Sequence, residues 1–241
     1  MIITSLENKE IKRITKLKSK KYRDELQEFI VEGEHLVEES YKNKVLKKII
    51  LLENTDIDID VEKIYVNHDI MKKISNLDSP PKVIGICKLL EEKEIGDRVL
   101  ILDGIQDPGN LGTIIRSAVA FNIDTIILSN DTVDMYNSKV IRSTQGMLFY
   151  INIIRTDLME VLPELKRNNY TLYTTNVTNG IDIKKCEKQN KFALIVGNEG
   201  NGVSKKVSDY ADYTIYIKTN NNVESLNVAV ATSILLYELG W

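Results

Sequence analysis

Two cysteines and two histidines are all that 241 residues offer of thiol and imidazole groups. Cys87 and Cys186 lie far apart, so their spacing supports neither a disulfide framework nor a metal site, and both read as ordinary reduced thiols. His35 and His68 fall in the amino-terminal part and read as incidental to any chemistry. Long apolar runs are missing too. No stretch approaches the roughly 18 uninterrupted apolar residues of a membrane span. Met1, Ile2 and Ile3 lead directly into polar Thr4, Ser5, Glu7, Asn8 and Lys9, without a basic region and apolar core, so secretion is not signalled and the cytoplasm is the expected location. Positive charge is lacking overall. A net charge of -3 does not advertise binding to a phosphate backbone, which cationic patches drive.

An apolar share of 43% and a charged share of 28% are ordinary for a globular chain, which excludes disorder and fibrous classes. The length suffices for one large domain or two modest ones. The distribution of charge says more than its sum. Lys9, Lys12, Arg13, Lys16, Lys18, Lys20, Lys21 and Arg23 are opposed between residues 9 and 23 only by Glu10. Ile11, Ile14 and Leu17 recur there at near-helical spacing, so the segment reads as a helix burying one stripe. A solvated helix face and a cationic surface for nucleic acid both fit, and one helix can be both.

Two blocks of alternating strand and helix pattern flank the charged segment Glu91-Glu92-Lys93-Glu94-Ile95-Gly96-Asp97, the candidate linker, so domains of 1–95 and 96–241 are expected. The first block predicts a helix over 7–20, strands at 29–32, 45–52, 64–66 and 83–88, and helices over 34–42 and 69–77. In the second, short apolar runs at 99–102, 125–128, 149–154, 172–175, 193–196 and 213–217 read as buried parallel strands. Helices over 111–121, 157–167, 204–210 and 225–239 alternate with them, which predicts an α/β fold with a mostly parallel sheet. Ligands in such sheets bind at the carboxyl ends of strands.

Three segments follow such strand ends. In Asp107-Pro108-Gly109-Asn110-Leu111-Gly112, turn chemistry precedes a helix that Asn110 could cap. Leu111, Ile114, Ile115, Ala118 and Val119 form that helix's apolar face, and Arg116 falls off it, near the positive helix end where a cation gains nothing. Binding phosphate or orienting an oxygen would justify the arginine. In the second segment, Val196-Gly197-Asn198-Glu199-Gly200-Asn201-Gly202, glycines at a strand's end let a ligand approach the backbone closely. Their spacing matches neither the dinucleotide fingerprint nor the phosphate-binding P-loop. The third, Glu224-Ser225-Leu226-Asn227, opens a helix that Ser225 could cap. Asn227 either caps it too or points its amide at a ligand.

The order and residue types of these segments resemble the three motifs of the SpoU, or TrmH-type, branch of the SPOUT RNA methyltransferases. Asn110, Gly112 and Arg116 match the first motif; Gly197, Asn198, Glu199, Gly200 and Gly202 the second; Ser225, Leu226 and Asn227 the third. The stretch Lys139-Val140-Ile141-Arg142-Ser143-Thr144-Gln145-Gly146 looks like the family's loop before its third core strand. The first block resembles, more loosely, the family's ribosomal-protein-like α/β substrate-binding module. One departure stands out: Tyr216-Ile217 leads into Lys218-Thr219-Asn220-Asn221-Asn222, where relatives usually have a Pro-Met pair and a glycine-containing turn. Asparagine tolerates left-handed backbone, so the turn can survive.

The resemblance implies a trefoil-knotted catalytic domain, an exception to the rule against threaded loops. It implies a homodimer that binds S-adenosylmethionine and methylates a ribose 2'-hydroxyl of RNA. Ribosomal RNA, 23S above all, is the expected substrate, ahead of transfer RNA or an inactive assembly role. Antibiotic resistance through ribosome methylation is a subordinate possibility. By position, the cofactor contacts fall at Thr175, Asn176, Gly197, Ile217, Ser225 and Leu226. Asn110, Arg116, Glu199 and Asn227 surround the methyl acceptor, Arg116 as clamp for phosphate and 2'-oxygen, since a guanidinium stays protonated. Glu199 is expected to hold Arg116 or its neighbours. RNA contacts are expected at Lys12, Arg13, Lys16, Lys20 and Arg142, and no metal is implied.

Overall fold

The computed structural model describes residues 2–220 and 222–240, so Asn221 of the asparagine-rich loop and Trp241 lie outside the described residues. The chain forms two compact units, Met1–Glu91 with Asp134–Tyr150, and Glu92–Val133 with Ile151–Trp241.

The first unit opens with β1 (Ile2–Ile3), α1 (Lys9–Lys16), α2 (Lys20–Leu26), β2 (Glu28–Glu32), α3 (Glu34–Lys42), β3 (Leu46–Leu52), β4 (Glu62–Val66), α4 (His68–Ile74) and β5 (Val83–Lys88). Its sheet has the order β1-β4-β3-β5-β2, with β5 antiparallel to both neighbours. Two short helices replace the single one expected over 7–20. Asn8 caps the first by accepting from the Glu10 amide, and the buried stripe Ile11, Ile14, Leu17 ends with it. Arg23 of the second helix, itself buried, donates at 2.9 Å to the carbonyls of both Leu17 and Lys18. Such donors satisfy carbonyls that the end of a helix leaves without partners.

The second unit begins with β6 (Arg98–Asp103), α5 (Pro108–Ala120) and β7 (Thr125–Leu128). The chain then returns to the first unit for α6 (Ser138–Thr144) and a 3-10 turn (Met147–Tyr150). The sequence pattern instead places 134–150 in the second block, with a loop at 139–146 and a strand over 149–154. Aromatic packing explains the difference: Tyr136 and Phe149 place their rings 4.6 and 6.5 Å from that of buried Phe29.

Back in the second unit come β8 (Asn152–Arg155), α7 (Leu158–Arg167), β9 (Thr171–Thr175), β10 (Ile181–Asp182), β11 (Phe192–Gly197), α8 (Lys205–Ser208), β12 (Tyr213–Tyr216) and α9 (Val228–Gly240). The seven strands are all parallel, in the order β10-β12-β9-β11-β6-β7-β8. Val99 and Ile101 pack with Leu158, Leu162 and Leu165 of α7, while Leu100 and Leu102, on the opposite face, are just as buried. Burial on both faces is why these strands read as continuous apolar runs. Register positions the site. Gly197 at the end of β11 lies opposite Asp103 at the end of β6, so the loops carrying the first two motifs leave the sheet side by side.

Candidate active site

The first motif's helix begins one turn earlier than the sequence suggested. Asp107, not Asn110, is its N-cap, accepting from the Asn110 amide at 2.8 Å, with Pro108 in the first turn where its missing N–H costs nothing. The Asn110 side chain is thereby free to reach across the sheet edge. Its Nδ2 donates to Glu199 Oε1 at 3.0 Å, and its Oδ1 accepts from Asn227 Nδ2 at 3.0 Å. Asn227 in turn caps α9, its Oδ1 accepting from the amides of Ala229 (2.9 Å) and Val230 (3.3 Å), the role expected of Ser225. The chain of donors and acceptors fixes both amide orientations and joins all three motifs.

Glu199 anchors this relay. Besides Asn110, it accepts from the backbone amides of Gln106 (to Oε2) and Asp107 (to Oε1), each at 3.2 Å. Partial burial alone would push its carboxyl up. The hydrogen bonds from the Asn110 amide and from the backbone N–H groups of Glu199, Asp107 and Gln106 outweigh that and hold it below the ordinary 4.5. Asn198 shapes the turn. It accepts from the amides of Gly200 and Asn201 and donates to the carbonyl of Gly104 at 2.7 Å. The backbone closes so tightly that a Cβ on Gly197 would lie 2.0 Å from the Gly202 carbonyl carbon, so only glycine fits.

Beside the relay lies a cavity of about 880 Å³, walled by the ends of β9, β11 and β12 and by the start of α9. Thr175, Asn176, Gly197, Ile217, Ser225 and Leu226 all line it, together with Asn198, Glu199 and Asn227. Thr174, Thr214 and Leu235 line it as well, although no sequence motif marks them. Thr174 and Thr214 are legible only once β9 and β12 are known to pair in that register.

Arg116 stands apart from the other three. It is exposed on α5, six residues past Asn110, which is about 9 Å along the axis. It lies in the second half of a 13-residue helix, so the dipole argument for its oddity does not hold. Glu199 is hydrogen-bonded to Asn110, Gln106 and Asp107, and among the described residues no ion pair joins it to Arg116. The cationic amino-terminal residues are also unequal. Lys12, Lys16 and Lys20 are exposed, Lys12 and Lys20 beside Glu7 and Asp24, and Lys16 over the ring of Tyr22. Arg13 is drawn into a network with Glu10 and Glu28, which holds the Glu10 carboxyl down at about 2. Arg142 faces buried Glu32 at 3.4 Å.

A parallel sheet that gathers three polar motifs at its carboxyl edge, the second and third lining one cavity and the first hydrogen-bonded to both, is the build of a methyltransferase of the SpoU type. The chain belongs to the SpoU rRNA methylase family, whose model matches residues 97–237. Residues 8–85 match the MRM3-like substrate binding domain. The chain is 38% identical to the 23S rRNA (guanosine(2553)-2'-O)-methyltransferase RlmP of Bacillus subtilis, over 98% of both chains. Among solved structures, the AdoMet-bound rRNA methyltransferase from Sinorhizobium meliloti superposes with a TM-score of 0.87 at 28% identity, covering 99% of this chain and 97% of that one. A putative RNA methyltransferase of the TrmH family from Porphyromonas gingivalis gives 0.88 at 29%, covering 98% of each. The expected α/β fold is the fold of these structures.

A lowered carboxyl pKa makes the Glu199 contribution to stability complete above about pH 4.5, the unfolded value, and removes it as pH falls through the folded one. Glu199→Gln should therefore unfold more easily than the parent at neutral pH. In denaturant melts the gap should close progressively below about pH 4.5. A gap that stays constant down to acid pH would contradict the anchor role.

Proposed function

We propose that this chain transfers a methyl group from S-adenosylmethionine to a ribose 2'-hydroxyl of ribosomal RNA, in the 23S molecule. The observation that carries the reading is the hydrogen-bonded relay Glu199–Asn110–Asn227, whose two outer members line the cavity. The cavity suits the cofactor. Its volume lies in the range of small-molecule sites, and it sets apolar Ile217, Leu226 and Leu235 against hydroxyls and open backbone around Gly197. Thr175, Asn176, Gly197, Ile217, Ser225 and Leu226 are the residues proposed to hold it. The family's trefoil knot belongs to the same proposal, with its threaded loops walling this cavity.

When bound, the cofactor supplies a sulfonium methyl for in-line attack. The protein's task is alignment, and positioning reacting atoms can lower a barrier by roughly 7 to 11 kcal/mol. Each amide in the relay commits one N–H to its neighbour and keeps a second. Asn110 and Asn227 thus present donors that can orient the acceptor oxygen, and Glu199 keeps them in place. Arg116 serves as clamp on the RNA phosphate and the 2'-oxygen, a role for which an exposed guanidinium with no ion pair among the described residues is suited. The first unit binds the RNA, through Lys12, Lys16, Lys20 and Arg142, while Arg13 is committed to its carboxylates. In this reading the enzyme is a cytoplasmic homodimer, and exposed Val230 and Tyr237 on α9 belong to the surface that a second copy covers.

Incubation with labelled S-adenosylmethionine and ribosomal RNA should place label at a 2'-oxygen, and Arg116→Ala should nearly abolish transfer while the cofactor still binds. Transfer to transfer RNA alone, or cofactor binding without transfer, would overturn the reading. Replacing Lys12, Lys16 and Lys20 by glutamine should weaken RNA binding. The slope of log affinity against log salt should fall by about 2, at roughly 0.7 to 0.9 per lost phosphate contact. Cofactor affinity should stay unchanged, and an equal loss of both would mean misfolding instead.

A further inference from the structure

The anchor of the relay, which follows β11, is itself held from three strands away across the sheet. Arg155 ends β8, opposite Leu128 at the end of β7. Its Nη1 donates to the carbonyls of Ser129 (2.8 Å), Asn130 (3.3 Å) and Thr132 (2.7 Å), and its Nη2 to that of Val133 (2.8 Å). One guanidinium thus gathers four carbonyls of a single loop, a geometry that a planar fork of five donors allows and a lysine does not.

That loop is in turn stitched to the first motif. Ser129 Oγ accepts from the amide of Gly104 at 2.9 Å, and Thr132 Oγ1 donates to the carbonyl of Leu102 at 3.1 Å. The amide of Val133 donates to the carbonyl of Ile105 at 2.9 Å. The side chain of Gln106 donates through Nε2 to the carbonyls of Asp131 (2.7 Å) and Gly104 (3.2 Å). Residues 104–106 therefore lie on a shelf whose shape Arg155 sets. It is the backbone N–H groups of Gln106 and Asp107, at the end of that stretch, that hold Glu199.

We infer that Arg155 and the Gln106 side chain are positioning residues for methyl transfer, acting through the 129–133 loop on the orientation of Glu199 and hence of Asn110. The inference rests on the methyltransferase reading above. Neither residue lines the cavity, so their influence should fall on turnover and leave cofactor affinity alone. Misplacing a reacting group by about 1 Å can cost on the order of a hundredfold in rate.

The test compares wild type with Arg155→Met, Arg155→Lys and Gln106→Leu in the full chain. Arg155→Met should lower kcat by about ten- to a hundredfold with cofactor Kd within about twofold of wild type. Arg155→Lys should restore only part of the loss, since an ammonium cannot span four carbonyls. Gln106→Leu should lower kcat in the same direction by a smaller factor. Amide hydrogen exchange over 103–111 should quicken in Arg155→Met whether or not RNA is present. Wild-type kcat in a folded, cofactor-binding Arg155→Met protein would overturn the inference, as would unchanged exchange at Gln106 and Asp107. Failure of the wild type to methylate RNA would instead overturn the functional reading, while the exchange measurement would still decide whether Arg155 holds the loop.

Discussion

Glu199 is the group on which the candidate site depends. Its carboxylate accepts two backbone N–H groups from the loop after β6 and one side-chain amide from α5, tying the turn after β11 to its neighbour. Removing one partner from such a partly buried set leaves the others with unmet donors, which costs more than the bond itself contributed. The remaining contacts follow in sequence. Asn110 can bridge to Asn227 only because Glu199 fixes its amide, and Asn227 can offer its Nδ2 only because its Oδ1 is committed to the start of α9. Parallel register makes this possible, by setting Gly197 beside Asp103 at one edge of the sheet.

Much of the second unit was legible in its sequence because its strands are buried on both faces. Val99 to Leu102 and Ala193 to Val196 are apolar without a break, and the structure holds strands at both places. The cavity residues were legible for another reason. Gly197, Ser225 and Leu226 carry little signal alone, and the ordered motifs located them. The relay was not legible. Asp107 outcompeted Asn110 for the cap because Asp-Pro supplies both the cap and a pre-set first turn, and that choice released the Asn110 side chain. Arg116 looked anomalous beside an assumed helix start that lay in the wrong place.

The distribution of charge is legible in the sequence only in part. A run of lysines and arginines in sequence gives a cationic surface only where no carboxylate from elsewhere in the fold meets it. Glu28 of β2 meets Arg13, and Asp134, far away in sequence, meets Arg23. Chain order alone places residues 134–150 in the second block, after β7. Their aromatic side chains pack instead on Phe29 of the first unit, a partner that no periodicity within the segment could announce.

The proposed methyl transfer requires Glu199, Asn110 and Asn227 to act as one hydrogen-bonded unit. A double-mutant cycle on kcat/KM with Asn110→Ala and Asn227→Ala tests it most directly, since coupled neighbours show interaction energies of about 0.5–3 kcal/mol and independent ones do not. The predicted result is that the double variant loses scarcely more activity than the worse single variant. Losses that multiply, as for two unconnected residues, would contradict the claim.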